Sequence, residues 1–267
     1  MGKFFTSIPP DVLPWIAQQQ CFWVSTAPLS PSGHVNLSPK GIRDCFHVID
    51  ENTVWYEDLT GSGNETISHL KENGRITIMF SAFEGPPRIL RLFGRGTVHE
   101  FGTEEYNTLI PPQKRKPGSR AAIVINVYKV GTSCGYAVPY YQFLSHRSTL
   151  HTFFAHKESL DRASSLLDAS QNEPDSSALK STNGLKAYWQ EKNSTSLDGL
   201  PGIELGPLSE EVPVSDESWR VDPGMSERGK KVRETGVKEG DRKRLVGAFL
   251  GGVFCTLVCI KVWNSRM

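Results

Sequence analysis

The chain has 267 residues, of which 38% are hydrophobic, 10% aromatic and 22% charged. This composition is typical of a folded globular protein, and it excludes a fully disordered chain, a collagen-like fibre and a multi-pass membrane protein. The formal net charge is +1, with 30 Lys and Arg against 29 Asp and Glu, so no overall field attracts nucleic acid. Basic runs such as 113–116 are short and lack interleaved aromatic residues, so we expect no nucleic-acid partner.

The cysteines and histidines give no sign of a disulfide framework or a metal site. The five cysteines are scattered and odd in number, which favours free thiols in a reducing compartment. Cys21 and Cys45 lie within or beside apolar runs, so we expect them to pack rather than to act as nucleophiles. The histidines lack the spacing of zinc ligands, and we expect no metal site.

The first half of the chain has the alternating apolar and polar pattern of a β-rich domain. Short helices are predicted within 11–20 and over 103–110, and a further helix is predicted over 64–73. Two hairpins are predicted, one from strands 22–26 and 34–38 and the other from strands 46–49 and 53–56. Three further strands are predicted over 75–80, 89–98 and 121–130. About six strands with few helices favour a mainly β (α+β) fold, a small closed barrel with short flanking helices.

The last third of the chain has a different character. Residues 164–182 are polar and predict an exposed loop, and residues 207–244 have too few apolar side chains to offset their ordering entropy, which predicts a disordered linker. Residues 245–263 form an apolar segment with a single lysine near its end, about 28 Å long as a helix, which suits a bilayer better than the alternative, a buried core helix. We therefore predict a body over 1–206, cytosolic and held at a membrane by one C-terminal transmembrane helix.

Two stretches of the body carry the side chains for binding chemistry. The glycine-rich loop 58–64 directly precedes a predicted helix, where exposed N–H groups attract phosphate, although a capped helix after a turn is the commoner explanation. On the predicted strand 34–38, earlier in the chain, Asn36 and Ser38 share one face, and Lys40 follows. These residues could meet a polar ring edge and a phosphate, or they could be an exposed strand end with a solvated lysine.

The order of four segments resembles the pyridoxamine 5′-phosphate oxidase-like family of flavin-binding split barrels. The segments are 22–28, 33–41, 58–66 and 83–88, and two later ones, 131–139 and 192–202, resemble an uncharacterised branch of that family. The resemblance spans roughly residues 11–204 and implies a six-stranded split β-barrel, usually a homodimer, with FMN at the dimer interface.

The resemblance also implies which residues would hold FMN. Asn36, Ser38 and Lys40 would line the isoalloxazine and ribityl groups, and Arg91 could face the same site. The residues beside the ribityl phosphate would be Asp58, Thr60, Asn64 and Thr66. Family members that oxidise pyridoxamine phosphate carry an Arg-Lys pair in this loop, whereas here 63–66 contains no cation, so the phosphate would depend on helix N–H groups, hydroxyls and Lys40.

Two classes of function follow from the resemblance. The first is an FMN-dependent oxidoreductase of unknown substrate, in which the cofactor carries the redox chemistry. The second is a non-catalytic split-barrel dimer that acts as a binding or scaffolding module at a membrane. A different ligand in the same groove, such as a deazaflavin or haem, is a further alternative.

Overall fold

The computed structural model describes residues 2–170 and 183–221. Within these residues, eight antiparallel strands form a single sheet. The strands are β1 (Lys3–Phe5), β2 (Cys21–Thr26), β3 (Asn36–Gly41), β4 (Phe46–Val48), β5 (Thr53–Leu59), β6 (Arg75–Ser81), β7 (Ile89–Glu100) and β8 (Ser119–Ser133). All the runs that alternation predicts as strands are strands, and both predicted hairpins are confirmed.

The sheet is strongly curled. Its strand order is β3-β2-β6-β7-β8-β5-β4, with β1 paired to β8. Although β2 and β4 lie near opposite ends of this order, the ring of Phe22 on β2 is 5.0 Å from the ring of Phe46 on β4 and 5.5 Å from that of Tyr56 on β5. The sheet therefore wraps around a shared core as a half-barrel, which is consistent with the predicted split barrel.

The two faces of each strand have different environments because successive side chains point to opposite sides. On β5, Val54, Tyr56 and Asp58 face the core, whereas Trp55 is half-buried on the outer side. Burying an aliphatic or aromatic core side chain stabilises the fold by about 1.5–3 kcal/mol. This alternation is what places polar side chains of β3 and β5 on the inner face, next to the core.

Five short α-helices and one of 22 residues accompany the sheet in the described ranges. They are α1 (Leu13–Ala17), α2 (Glu65–Asn73), α3 (Glu104–Leu109), α4 (Thr149–Ser170), α5 (Leu185–Lys192) and α6 (Leu205–Leu208). The predicted stop of α2 is confirmed, because Gly74 takes the left-handed conformation with φ +70°. The predicted cap of α3 is also confirmed, because the Thr103 side chain accepts a hydrogen bond from the N–H of Tyr106.

Two features differ from the sequence-based predictions. The sheet has eight strands in the described ranges rather than six, because β1 is a three-residue strand, too short to show alternation, and both predicted hairpins contribute fully. The predicted exposed loop 164–182 begins inside α4, which runs to Ser170, and its remainder, 171–182, lies outside the described residues. The buried positions of α4 include the polar residues His151, Glu158 and Asp161. The helix therefore lacks a purely apolar face that would show its period in the sequence.

The structured region continues past the boundary predicted after residue 206. Glu211 forms an ion pair with Arg115, and Ser215 donates a hydrogen bond to Glu158, so residues 207–221 pack on the body instead of starting a linker. The rest of the predicted linker, 222–244, and the predicted transmembrane segment, 245–263, lie outside the described residues. In the described part of the chain, no helix has both the length and the hydropathy needed to cross a membrane.

Candidate functional site

A buried carboxylate joins the two strands that carry half of the predicted site residues. Asp58 on β5 is fully buried, and its Oδ1 lies 2.8 Å from the Nζ of Lys40 on β3. Its other oxygen, Oδ2, lies 2.7 Å from the Nε of Arg120 on β8, and Arg120 also donates to the carbonyl of Gly63 at 3.0 Å. The arrangement ties β3, β5, β8 and the glycine loop together, and it leaves one positive charge in excess.

The charge state of Asp58 follows from these contacts. Burial by itself raises the pKa of this carboxyl, but the opposing charges of Arg120 and Lys40 outweigh burial and hold the pKa below its ordinary value. Asp58 is therefore a carboxylate at neutral pH. Its chemical role is to fix two cations in place rather than to supply a proton.

A second polar cluster joins β3 to the first turn of α2. The Nδ2 of Asn36 donates to the hydroxyl of Thr66 at 2.9 Å and to that of Thr26 at 3.1 Å. The Thr26 hydroxyl lies 3.0 Å from the Nδ1 of His69. Since Thr26 accepts from Asn36, its own proton can be donated to His69 Nδ1, and in that arrangement the histidine proton is on Nε2.

His69 is the unusual member of this cluster. Its side chain is completely buried, and its Nε2 has no hydrogen-bond partner among residues 2–170 and 183–221. Burial lowers the pKa of His69, although the nearby carboxylate of Asp198 opposes this, so the ring is neutral near pH 7. A buried ring nitrogen without a partner can hydrogen-bond a ligand that enters beside it.

The glycine loop is held from the other side by α5 and the segment after it. The hydroxyl of Thr60 donates to the carbonyl of Gly118 at 2.6 Å and accepts from the indole N–H of Trp189 at 2.7 Å. Asn193 donates to the carbonyl of Gly61 at 2.9 Å. The Thr60 hydroxyl thus has partners within the chain both as a donor and as an acceptor.

The start of α2 is covered by residues 193–202. Asn64 is buried, and its Nδ2 donates to Ser68 at 3.2 Å, whereas its Oδ1 is buried without a partner within the described ranges. Gly202 lies so close to the Asn64 amide that a side chain there would collide with it. This packing limits access to the helix N-terminus that the sequence suggested for a phosphate.

The structure brings most, but not all, of the eight predicted residues together. Lys40 contacts Asp58, and Asn36 contacts Thr66, while Ser38 lies between Asn36 and Lys40 on the same face of β3. Through the register of neighbouring strands, Arg91 on β7 is level with Pro39 on β3, which is the residue next to Ser38. Adjacent residues of a strand point to opposite faces of the sheet. The side chain of Arg91 is therefore on the opposite face, where it donates to Ser133 at 3.3 Å.

Sequence reasoning missed the residues that complete these clusters. Arg120 is the charged residue that directly precedes the apolar run 121–125, and a cation at that position is a detectable signal. Thr26, His69 and Trp189 carry no such signal, since each looks like an ordinary member of a strand or helix. Cys45 behaves as predicted, because burial raises the pKa of its thiol to about 12 and makes it a poor nucleophile. The described ranges contain no group of three potential metal ligands.

Comparison with known proteins places the chain in a family. The family model described as Pyridoxamine 5′-phosphate oxidase matches residues 8–134. The chain is 36% identical over 208 residues to the Pyridoxamine 5′-phosphate oxidase family protein ustO of Aspergillus flavus, covering 76% of this chain and 78% of that protein. The chain belongs to the pyridoxamine 5′-phosphate oxidase family. The resemblance seen in the sequence is thereby confirmed.

Two solved structures show a more distant similarity to this chain. A HupZ variant from Group A Streptococcus is 21% identical, with a TM-score of 0.37, covering 47% of this chain and 99% of that one. A protein from Syntrophomonas wolfei subsp. wolfei, described as FMN-binding, is 16% identical, with a TM-score of 0.33, covering 45% of this chain and 81% of that one.

The residues of the two clusters fit an anionic cofactor with a polar rim. Lys40 keeps a fifth of its side chain exposed, and Arg120 lies behind it with only one carboxylate between the two cations. The unpartnered Nε2 of His69 lies in the neighbouring cluster of hydroxyls and amide groups. These groups supply the positive charge and the donors that a phosphate and a carbonyl-bearing ring require.

Proposed function

We propose that this chain is a flavin-binding split-barrel protein that binds FMN beside the inner face of β3 and acts as a flavin-dependent oxidoreductase. The observation that carries the proposal is the convergence of β3 on β5 and α2, through the Lys40–Asp58 and Asn36–Thr66 contacts, in a member of this family. When bound, FMN supplies the redox chemistry of this protein.

The protein residues have binding and orienting roles. The excess positive charge of Lys40 and Arg120 over Asp58 attracts the phosphate. Asn36 and Thr66 present an amide and a hydroxyl group along the polar rim, and the buried Nε2 of His69, when it carries the ring proton, is a donor for a ring carbonyl or ribityl oxygen. Because Asp58 stays ionised, it keeps the two cations aligned whether or not FMN is present.

Visible absorption and FMN titration of the purified full chain test this proposal. We expect the two absorption bands of bound flavin, or uptake of added FMN with quenching of its fluorescence. Lys40→Ala should weaken FMN binding about tenfold, since a charged hydrogen bond contributes about 1.5–3 kcal/mol. Lys129→Ala, on the β8 lysine that lies over the Phe4 ring, is the matched control and should bind normally. Failure of the wild-type chain to take up FMN would exclude flavin binding.

A non-catalytic binding or scaffolding module is the second candidate. Two observations favour it: both hydrogen-bonding roles of Thr60 are filled by Gly118 and Trp189, and residues 193–202 cover the start of α2. A colourless protein that binds neither FMN nor haem, but forms a stable assembly, would support this alternative. A deazaflavin or haem in the same place would instead give a distinct absorption spectrum.

We further propose that the body forms a homodimer and that residues 245–263 anchor it in a membrane with the body in the cytosol. The apolar length of this segment and the cations that precede it support the anchor. A chain truncated after Arg244 should move from the membrane fraction to the soluble fraction. If the truncated chain stays with membranes, the anchor is wrong. Sedimentation of the same truncated chain tests the dimer.

A further inference from the structure

A large cavity lies on the outer side of the sheet. Its volume is about 680 Å³, which is in the range of small-molecule sites. Its walls come from β4 and β5, from the loop around residues 109–117, from α4, and from the C-terminal segment 216–219. Because the segment 216–219 is outside the span of the family match, this cavity depends on parts of the chain that the shared barrel does not include.

The cavity and the proposed flavin site are on opposite faces of β5. Trp55 and Glu57 line the cavity, whereas Tyr56 and Asp58 alternate with them and face the core. A strand therefore separates Asp58 from the cavity. A ligand can therefore occupy the cavity while the proposed flavin site is empty, and the reverse.

The cavity wall contains a flat aromatic surface. The rings of His47 and Trp55 are stacked, with centroids 4.0 Å apart and planes inclined by 15°. Leu109, Ile110 and Pro117 add apolar side chains to the lining of the same cavity. Flat aromatic and aliphatic walls of this kind suit a planar ring.

Two polar atoms in the wall have no hydrogen-bond partner in residues 2–170 and 183–221. They are the Nδ1 of His151 and the Nε1 of Trp219, both buried, on rings 5.5 Å apart and inclined by 78°. An indole N–H is a donor only, so its complement is an acceptor. A buried donor without a partner destabilises the protein until an acceptor reaches it.

Charges of both signs line the cavity, the carboxylates of Asp44 and Asp216 among them, and a lysine without an ion pair in the described residues favours an anionic acceptor. Lys116 is paired with Glu57, and Arg115 with Glu211, but Lys114 is exposed with no ion pair in the described part of the chain. Burial, with smaller contributions from the charges of Lys116 and His146, lowers the pKa of His151 to about 4. His151 is therefore neutral near pH 7 and lies in a positive field.

We propose that this cavity binds a planar organic acid, a ring compound that carries a carboxylate. The ring packs on the apolar wall formed by Trp55 and its neighbours. The carboxylate accepts from the Trp219 indole and is attracted by the Lys114 ammonium group.

Titration calorimetry of the full chain with 1-naphthoate, a planar aromatic carboxylate, tests the proposal. We expect one saturable site per chain and about tenfold weaker binding of the neutral analogue 1-naphthamide, since charged hydrogen bonds are about twice as strong as neutral ones. Equal affinity for the acid and the amide would overturn the assignment of an acid. Absence of saturable 1-naphthoate binding would overturn the site itself.

Variants locate the binding to this cavity. Trp219→Phe keeps an aromatic ring but removes the donor, and it should weaken 1-naphthoate binding about tenfold. Lys114→Ala changes an exposed side chain that folding does not require, and it should weaken binding about threefold. Trp23→Phe and Lys3→Ala, on residues outside the cavity, are the matched controls and should bind like the wild type. Unchanged binding in both cavity variants would contradict the proposal.

The same titration separates this site from the flavin site. Lys40→Ala should leave 1-naphthoate binding unchanged, because Lys40 does not line the cavity. Loss of 1-naphthoate binding in Lys40→Ala would overturn the second site. Loss of FMN binding alone would bear only on the proposed flavin function.

Discussion

The barrel and the layer of helices packed on it each contain a buried carboxylate, but the surroundings of the two carboxylates shift their pKa values in opposite directions. In the barrel, Asp58 lies between Lys40 and Arg120, and its pKa is lowered. In the layer formed by residues 149–170 and 183–221, Glu158 accepts from the N–H of Gly118 and the hydroxyl of Ser215, neither of which is charged. Burial raises the pKa of Glu158 because these neutral donors compensate it only in part.

Glu100 joins the two regions. Its Oε2 accepts from the N–H groups of residues 204, 205 and 206 at 2.9, 2.6 and 3.2 Å, and its Oε1 lies 2.6 Å from the Nζ of Lys71. One carboxylate on β7 thus combines a cation from α2 with the backbone of the C-terminal layer. The comparison indicates that charge pairing joins strands within the barrel, whereas the outer layer is attached to it by backbone and hydroxyl donors together with ion pairs such as Arg115–Glu211.

The largest expected effect is in the barrel. Arg120→Ala leaves the fully buried Asp58 carboxylate with Lys40 as its single cation. Removing one partner of a buried ion pair costs about 3–5 kcal/mol, and we expect a loss of this size in the free energy of unfolding, measured with denaturant. Arg95→Ala, on an exposed arginine of β7, should cost less than about 0.5 kcal/mol. A similar small loss for both variants would refute the central role of the Asp58 pairing.

The junction should show an intermediate effect. Glu100→Gln keeps the size of the side chain but removes the charge that Lys71 and three N–H groups share. We expect a loss of about 2 kcal/mol, together with faster hydrogen exchange at the amides of residues 204–206. Glu104→Gln, on an exposed glutamate of α3, is the control. Unchanged exchange at 204–206 would mean that another contact holds this segment.

The barrel could be predicted from the sequence because its pattern is carried by apolar residues. Strands β2, β5 and β6 alternate between buried apolar and less buried side chains, and the stop of α2 at Gly74 is visible as a glycine after a helical pattern. The curl of the sheet is a different matter. It depends on contacts between distant segments, such as Phe22 with Phe46, which no local pattern records.

The outer layer could not be predicted in the same way, since polar residues occupy its inward positions. His151, Phe154, Glu158 and Asp161 recur at spacings of three and four along α4 and are all buried, but only one of them is apolar. The site shows the same limit. Asn36, Lys40, Asp58 and Thr66 were suggested by their strands and loop, whereas Arg120 became a site residue only when β8 was placed beside β5.

The smallest effect is a change in pH dependence in the outer layer. Since burial raises the pKa of Glu158 in the folded protein above its ordinary value of 4.5, the folded state binds this proton more tightly than the unfolded state. The stability that Glu158 contributes is therefore fully present below the unfolded pKa and is lost as pH rises through the folded pKa. Asp58 behaves in the opposite sense, because its lowered pKa gives a contribution that is lost only as pH falls.

Glu158→Gln isolates this behaviour. The amide oxygen can accept from the N–H of Gly118 and the amide nitrogen can donate to Ser215, so both contacts survive without a titrating group. We expect the stability of the variant relative to wild type to increase as pH rises from the ordinary glutamate pKa towards neutrality, in urea unfolding at a series of pH values. Glu105→Gln, on an exposed glutamate of α3, should run parallel to wild type. A relative stability that stays constant with pH would show that the pKa of Glu158 does not change on folding, and one that decreases would show that Glu158 is held by a charge; in either case the contrast between the two regions would fail at the residue that defines it.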